Sequence, residues 1–172
     1  CKEVDQLIVA ASEDSENDEL QIVVESNGYS CTRGSEKDVL KRFYESAKAA
    51  SAEVVVRITG DCPLADPALI DQCIREFRQR NVDYLSNISP VTYPDGLDVE
   101  VMTIGSLERA NKEVTNDYDR EHVTPYIRRS ECFNKASILH DSDFSDFRWS
   151  VDESEDLAVM TGVFEHFSPD LC

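Results

Sequence analysis

Basic side chains are scarce in this chain: 17 lysines and arginines stand against 35 aspartates and glutamates, a net charge of −18. A surface with that balance repels a polyanionic backbone instead of displacing its counterions, which sets nucleic acid aside as a partner. Long apolar runs are missing as well. No stretch of about 18 consecutive apolar residues and no secretory leader pattern occurs, so the expectation is a soluble, cytoplasmic protein without a membrane partner. The 6 cysteines (Cys1, Cys31, Cys62, Cys73, Cys132 and Cys172) include no C-x-x-C pair and no Cys/His ligand spacing, which argues against zinc. Three of them sit in apolar stretches of a chain large enough to fold without staples, and free thiols in a reducing cytosol are expected. Only 6 glycines and 6 prolines are scattered over the 172 residues, so nothing marks low complexity or disorder, and the length suits one domain.

What is present is alternation. Leu7–Ala11 is a short continuous apolar run of the kind a strand buried on both faces shows. An acidic turn, Ser12–Asp18, leads into an amphipathic stretch through Ile22 and Val23 that stops at Gly28, before a strand at Tyr29–Thr32. From Glu36, the apolar positions Val39, Leu40, Phe43, Tyr44 and Ala47 mark one helix face, and Glu53–Thr59 is a valine-rich strand. Asp66 and Pro67 open a helix whose buried stripe is Leu69, Ile70, Cys73, Ile74 and Phe77. Val82–Ser86 and Asp98–Thr103 are strand candidates around a loop holding Pro90, Pro94 and Gly96. Helices follow at Ser106–Val114 and within Arg120–Arg129, then strands at Ala136–Leu139 and Phe147–Val151 and a closing helix at Glu153–Phe167. The pattern predicts an α/β sandwich on a mostly parallel sheet, whose ligands gather at the carboxyl ends of the strands.

Those ends carry the chemistry-bearing residues. In Thr59-Gly60-Asp61-Cys62-Pro63 the glycine permits a tight turn and the proline fixes the exit, which holds Asp61 at a strand end. A carboxylate there is a natural Mg²⁺ ligand, although an Asp capping the following turn has the same local sequence. In Asp152-Glu153-Ser154-Glu155-Asp156 the last acids suit a first helical turn whatever the function, whereas Asp152 closes the preceding strand and would join Asp61 if their strands are neighbours. Arg33-Gly34-Ser35 ends a strand and starts a helix, either as a polar-ligand contact or as an ordinary Ser N-cap. Thr92–Glu100 combines a Pro-Asp-Gly turn with two strand carboxylates, and Asp119-Arg120-Glu121-His122 mixes both signs of charge. His122 has no sequence-evident partner for triad chemistry, and a lone His there is more often a hydrogen-bonded structural residue than an acid or base.

Taken in order, the segments Arg33–Phe43, Val55–Leu64 with Asp66-Pro67, Thr92–Val101, Asp119–Ile127 and Arg148–Leu157 resemble the cytidylyltransferase family that makes CMP-activated sugars. That family includes the 3-deoxy-manno-octulosonate and acylneuraminate enzymes, and the chain most resembles its spore coat polysaccharide biosynthesis branch. The resemblance implies a Rossmann-like three-layer sandwich of the nucleotide-diphospho-sugar transferase type that binds CTP and Mg²⁺. A sugar acid attacks the α-phosphate and pyrophosphate leaves. It further implies Asp61 and Asp152 as catalytic metal ligands, and Arg33, Gly34, Ser35, Thr59 and Gly60 near the nucleotide. Tyr93, Asp95, Gly96, Asp98, Glu100, Arg120, Glu121 and His122 fall on the sugar side, with Arg120–His122 expected across from Asp95, Asp98 and Glu100. Relatives begin with a strand and a Gly-rich loop bearing an Arg and a Lys for the triphosphate, and no such segment precedes Cys1. Ala11-Ser12-Glu13-Asp14 also replaces the family's Thr-Ser-Asp run. Residues 1–172 are therefore expected to be one domain without its first strand and phosphate loop, folded but without turnover by itself, and capable of homodimerising as relatives commonly do. Two other readings share these features: a Mg²⁺- or Mn²⁺-dependent glycosyltransferase using a nucleotide sugar, and a non-catalytic truncated module.

Overall fold

The β-branched runs form short strands and the amphipathic stretches between them form helices, in strict early alternation. The computed structural model describes residues 1–168. It contains strands β1 (Ile8–Ser12), β2 (Ser30–Gly34), β3 (Val54–Arg57), β4 (Tyr84–Ser86), β5 (Glu100–Thr103) and β6 (Lys135–Ser137). The helices are α1 (Asp18–Ser26), α2 (Val39–Ala49), α3 (Pro67–Arg80), α4 (Ile104–Glu113), α5 (Asp117–His122), α6 (Pro125–Arg129) and α7 (Ser154–Phe167). Local signals behave as their chemistry requires at α3. The Asp66 carboxylate accepts from the Ala68 amide at 2.7 Å, Pro67 occupies the first turn, and Asn81 leaves the helix in the left-handed region at φ 49°.

β1 and β2 pair in parallel, and the other strands form a four-stranded sheet in the order β3-β5-β4-β6. Within that sheet β3, β4 and β6 run one way and β5 alone runs against both its neighbours, so the sheet is mostly parallel by strand direction. The pleat sends Val55, Tyr84 and Met102 to the side of α2, α4 and α6, where they pack with Leu40, Leu107 and Ile127. Leu85, Val99 and Val101 face the opposite side and meet Leu69, Cys73, Ile74 and Phe77 of α3. Helices on both faces of one sheet give the three layers. Among the described residues no helix is long and apolar enough to cross a membrane. The thiols of Cys1, Cys31, Cys62, Cys73 and Cys132 are free; Cys172 lies outside the described residues.

Two elements differ from the sequence reading. Phe147–Val151 is an extended ribbon and not a strand, since its one bridge joins Arg148 to Asp95. The partner is the Pro94–Gly96 turn: Pro94 has no N–H to offer and Gly96, at φ 102°, turns the chain away after a single pair, so no ladder develops. The helix expected within Arg120–Arg129 is broken into α5 and α6. Pro125 lacks the N–H that a continuous helix needs and starts α6 afresh. The elbow before it places Val123 at φ 71°, a costly conformation for a β-branched residue, and its side chain is fully buried in the core beneath α2 and α4.

Leu85 is completely buried between β5 and α3. Leu85→Ala is expected to cost ~3 kcal/mol by lost transfer energy and the cavity left behind. The urea midpoint should fall with an unchanged slope; an unchanged midpoint would contradict this assignment of the core.

Candidate functional site

Because β5 runs backwards, the segment entering it meets the segments leaving β3 and β4 at one end of the sheet. The loop after β3 is closed by the Cys62 amide on the Thr59 carbonyl at 3.3 Å and by a 3.1 Å contact between Thr59 Oγ1 and Cys62 Sγ. Asp61 sits at its tip. The Asp61 carbonyl accepts the Val151 amide at 2.8 Å, while Asp95 exchanges backbone bonds with Phe147 (3.0 Å) and Trp149 (2.7 Å). The 147–152 ribbon thus stitches together the loop after β3 and the loop before β5. Gly96 is required at this junction for space as well as for its positive φ, since a Cβ there would lie 2.7 Å from the Trp149 carbonyl carbon. Asn87, buried at the end of β4, clamps the same loop by donating to the Leu97 carbonyl at 2.7 Å and accepting from the Val99 amide at 2.8 Å.

The electrostatics of this end are those of acids with too few bases. Asp98 has its pKa pushed up to about 6 by burial and by Asp95, Glu100 and Asp61, with Arg57 the one opposing charge. Asp61 receives a single long contact from the Cys62 thiol, 3.7 Å away, and burial, with smaller help from Asp61 and Asp98, raises that thiol to about 11. Asp152 lies just beyond Val151 and accepts from Arg148 at 2.9 Å and Ser150 Oγ at 3.1 Å. Arg148 also holds Asp156 at 2.5 Å, and Asp156 and Glu153 form the capping box of α7, the cap expected of these acids. Asp61 and Asp152 therefore stand at the same end of the sheet on segments joined by one backbone hydrogen bond. Among the described residues no three His, Cys, Asp or Glu groups are close enough together to hold a metal. Mg²⁺ needs only one or two protein carboxylates when waters and phosphate oxygens fill its other positions, and the excess of negative charge around Asp61 and Asp98 suits a cation.

Other residues singled out from the sequence have different occupations. Arg33, at the carboxyl end of β2, fastens the β1–α1 turn. It donates to the carbonyls of Ser12 (2.5 Å) and Asp14 (2.8 Å) and to the side chains of Gln21 (2.8 Å) and Asp18 (2.9 Å). Gly34 makes room for the stem of Arg42, whose Cγ would lie 3.0 Å from an added Cβ, and Ser35 Oγ accepts the Asp38 amide at 3.1 Å. Thr59 is occupied by Cys62. Gly60 is exposed, without positive φ and with open space around it, so this turn does not depend on glycine. Tyr93 packs edge-on against His140. Glu100 is 1 % exposed and accepts from Arg57 and Tyr84, each at 2.5 Å, which leaves it no face for a ligand.

Arg120 departs furthest from expectation. Its five N–H groups all have partners: Asp38 twice (2.8 and 2.6 Å), the carbonyls of Asn111 (2.8 Å) and Val114 (3.2 Å), and the Asn111 side chain (2.9 Å). It joins the N-terminus of α2 to the C-terminus of α4, where a cation also suits the helix dipole. Glu121 and His122 are exposed, and the His122 ring packs on Tyr118 with centroids 4.4 Å apart. Among the described residues no hydrogen bond joins these three to Asp95, Asp98 or Glu100. The adjacent Asp119, 1 % exposed, is held by Asn116 and by both terminal nitrogens of Arg129. Asn87, Arg57 and the Asp119–Arg129 pair escaped the sequence reading; a lone arginine in a valine run and an asparagine at a strand end were the signals available.

Residues 1–162 match the family described as cytidylyltransferase. Over 169 residues the chain is 37% identical to an uncharacterized protein of Methanocaldococcus jannaschii, covering 96% of this chain and 68% of that protein. It is 29% identical over 168 residues to the spore coat polysaccharide biosynthesis protein SpsF of Bacillus subtilis, covering 95% of this chain and 69% of that one. A solved cytidylyltransferase from Leptospira borgpetersenii superposes with a TM-score of 0.88 at 28% identity, covering 96% of this chain and 71% of that structure. The CTP complex of CMP:2-keto-3-deoxy-manno-octonic acid synthetase shares the fold, with a TM-score of 0.64 at 10% identity over 97% of this chain and 82% of that one.

Two measurements test these assignments. Arg120→Ala is expected to destabilise the fold by about 2–3 kcal/mol, because Asp38 and the end of α4 lose their donors while solvent screens part of the loss. Arg120→Lys should restore only a fraction, since one ammonium cannot span both sites. Unchanged urea unfolding of Arg120→Ala would return the residue to a ligand role. The second test uses Asp98. A carboxyl whose pKa rises on folding binds more protons when folded, so its penalty is absent below the ordinary carboxylate pKa of about 4 and grows as pH rises through about 6. Asp98→Asn should therefore gain roughly 1 kcal/mol of stability at pH 8 after screening, and nothing at pH 4. Asp38 works in the opposite sense: burial alone would raise its pKa, but Arg120 and the Lys41 amide hold it below the ordinary range, so its contribution is lost only in more acidic solution.

Proposed function

The chain belongs to the cytidylyltransferase family, and we propose that it transfers the CMP group of CTP to a hydroxyl of an acidic sugar, with release of pyrophosphate, in surface polysaccharide biosynthesis. The observation that carries this reading is the gathering of Asp61, Asp95 and Asp98 at the carboxyl end of the sheet, beside the ribbon that delivers Asp152. The name of the Bacillus subtilis relative supports the polysaccharide context, and the sugar-acid synthetase with bound CTP supports the substrate pair at the level of fold.

Nucleotidyl transfer asks for alignment and charge compensation more than for covalent chemistry. The sugar oxygen bonds to the α-phosphorus as the bond to the pyrophosphate oxygen breaks. Asp61 and Asp152 are the residues that would hold Mg²⁺, which offsets the charge of the phosphates when bound. Arg148 is bonded to Asp156 as well as to Asp152, so it would keep a partner if Asp152 held the cation. Asp98, at the same end of the sheet, is the carboxyl assigned to receive the proton of the attacking hydroxyl. Arg33 and Arg120 hold the surrounding loops in place, so the sugar carboxylate takes its charge partner elsewhere.

The test is pyrophosphate release from CTP and a panel of sugar acids with Mg²⁺, using the protein expressed from its complete reading frame. Asp61→Asn is expected to lower kcat at least about 100-fold, as loss of a metal ligand should, with thermal unfolding unchanged. The exposed Glu153→Gln serves as a control with near-normal turnover. Release of a nucleotide from a sugar nucleotide, without any CTP-dependent pyrophosphate, would replace this reading by glycosyl transfer.

A further inference from the structure

The loops before β5 and after β6 carry a concentration of aromatic rings that the carboxylate site does not use. Phe144, Phe147 and Trp149 are 38%, 54% and 36% exposed. Tyr93 and His140 meet edge to face at 5.3 Å and 88°, His140 and Phe144 at 4.8 Å and 61°, and Phe147 lies 6.3 Å from Phe144. In an edge-to-face pair one ring lays its edge on a face of the other, so the edge-on ring keeps both its faces clear of its partner. Together with Trp149 these rings wall an open cavity of about 360 Å³ floored by Leu69 and Leu97, within the usual range for small-molecule sites. Its backbone is tied down. The Phe144 amide donates to the Thr92 carbonyl at 2.9 Å and the Trp149 amide to that of Asp95 at 2.7 Å, while the His140 amide donates to Thr92 Oγ1 at 2.9 Å.

Charge narrows what such a cavity accepts. No lysine or arginine lines it, and Asp66, its one carboxylate, is engaged in capping α3. A carboxylate or phosphate would meet no lysine or arginine here, only the ring N–H of His140 and the Tyr93 hydroxyl, whereas a neutral group with a C–H face would find open ring faces. Position narrows it further. Trp149 in the cavity wall is two residues from Val151, whose amide is bonded to Asp61, a separation of about 7 Å along extended chain.

We propose that this aromatic cavity binds the neutral part of the acceptor, a saccharide ring face or an N-acyl or deoxy substituent, and so turns the sugar's reacting hydroxyl toward Asp61 and Asp98. This rests on the reading given under Proposed function. The cavity thereby selects sugars with an uncharged apolar substituent over plain polyhydroxy acids.

Trp149, the one tryptophan among these 172 residues, reports occupancy directly. In the protein expressed from its complete reading frame, methyl glycosides of N-acetylated and 6-deoxy sugars should produce a saturable change in emission that Trp149→Phe removes. CTP with Mg²⁺ should not produce it. Phe144→Ala and Tyr93→Ala should each weaken that response, and should raise the KM of an N-acylated sugar acid about tenfold, the loss expected for one aromatic contact, with the KM of CTP unchanged. An unchanged sugar KM in both variants, with CTP-dependent pyrophosphate release intact, would overturn the cavity's role and leave the proposed reaction standing. A saccharide response in a protein without that turnover would overturn its assignment to an acceptor. Quenching of Trp149 that tracks protein concentration and ignores saccharides would identify an interface between copies instead, and would also overturn the proposal.

Discussion

One reversed strand organises the working end of this molecule. β5 runs against both β3 and β4, so the chain enters it at the end where they leave. Antiparallel pairing sets Arg57 directly opposite Glu100 and allows Tyr84 to reach the same carboxylate from β4. Burial and Glu100 keep the Tyr84 phenol protonated far above its ordinary range, so it stays a donor. Glu100 is thereby bonded from both sides, while among the described residues Arg57 Nε is buried without a hydrogen-bond partner and the guanidinium lies 5.8 Å from the Phe43 ring. Two residues before Glu100, Asp98 has no such partner, and burial, with the neighbouring Asp95 and Glu100, raises its pKa. A parallel β5 would have carried Asp95 and Asp98 to the opposite end, away from Asp61.

The acids divide by whether a base reaches them. Asp38, Asp119 and Asp156 are each bonded to an arginine or to backbone amides and titrate below the usual range. Among the described residues Asp98 has Arg57 alone to oppose its neighbouring carboxylates, and that arginine is committed to Glu100. In a chain of net charge −18 a locally uncompensated cluster at a strand end favours a cationic or proton-donating ligand there, while the paired acids contribute to stability. The aromatic cavity lies on the other flank of the 147–152 ribbon, so polar and apolar recognition are carried by adjoining walls of one loop system.

Arginine is also where motif and geometry part. Arg33 and Arg120 stand in segments that resemble a nucleotide- and sugar-binding family, yet a guanidinium offers five donors and the fold uses four and five of them respectively on its own loops. In this chain they hold the β1–α1 turn and the α2–α4 junction.

Local chemistry alone determined the alternating elements, the capped start of α3 at Asp66 and Pro67, the apolar faces of α2 and α3, and the placement of Asp61 at a strand end, because each depends on neighbours in sequence. The five ordered segments were equally legible, and with them the family. Tertiary structure decided what depends on distant partners: that 147–151 is a ribbon held by Asp95 and Asp61, that β5 is reversed, and that Glu100 is buried under Arg57 and Tyr84. It also decided that Arg120 spends its donors on Asp38, 82 positions away, and that rings from residues 93 and 140–149 enclose one cavity. Hydrophobic periodicity records which face of an element is buried, but it holds no record of which polar group waits there; that is settled only when the sheet brings the partners together.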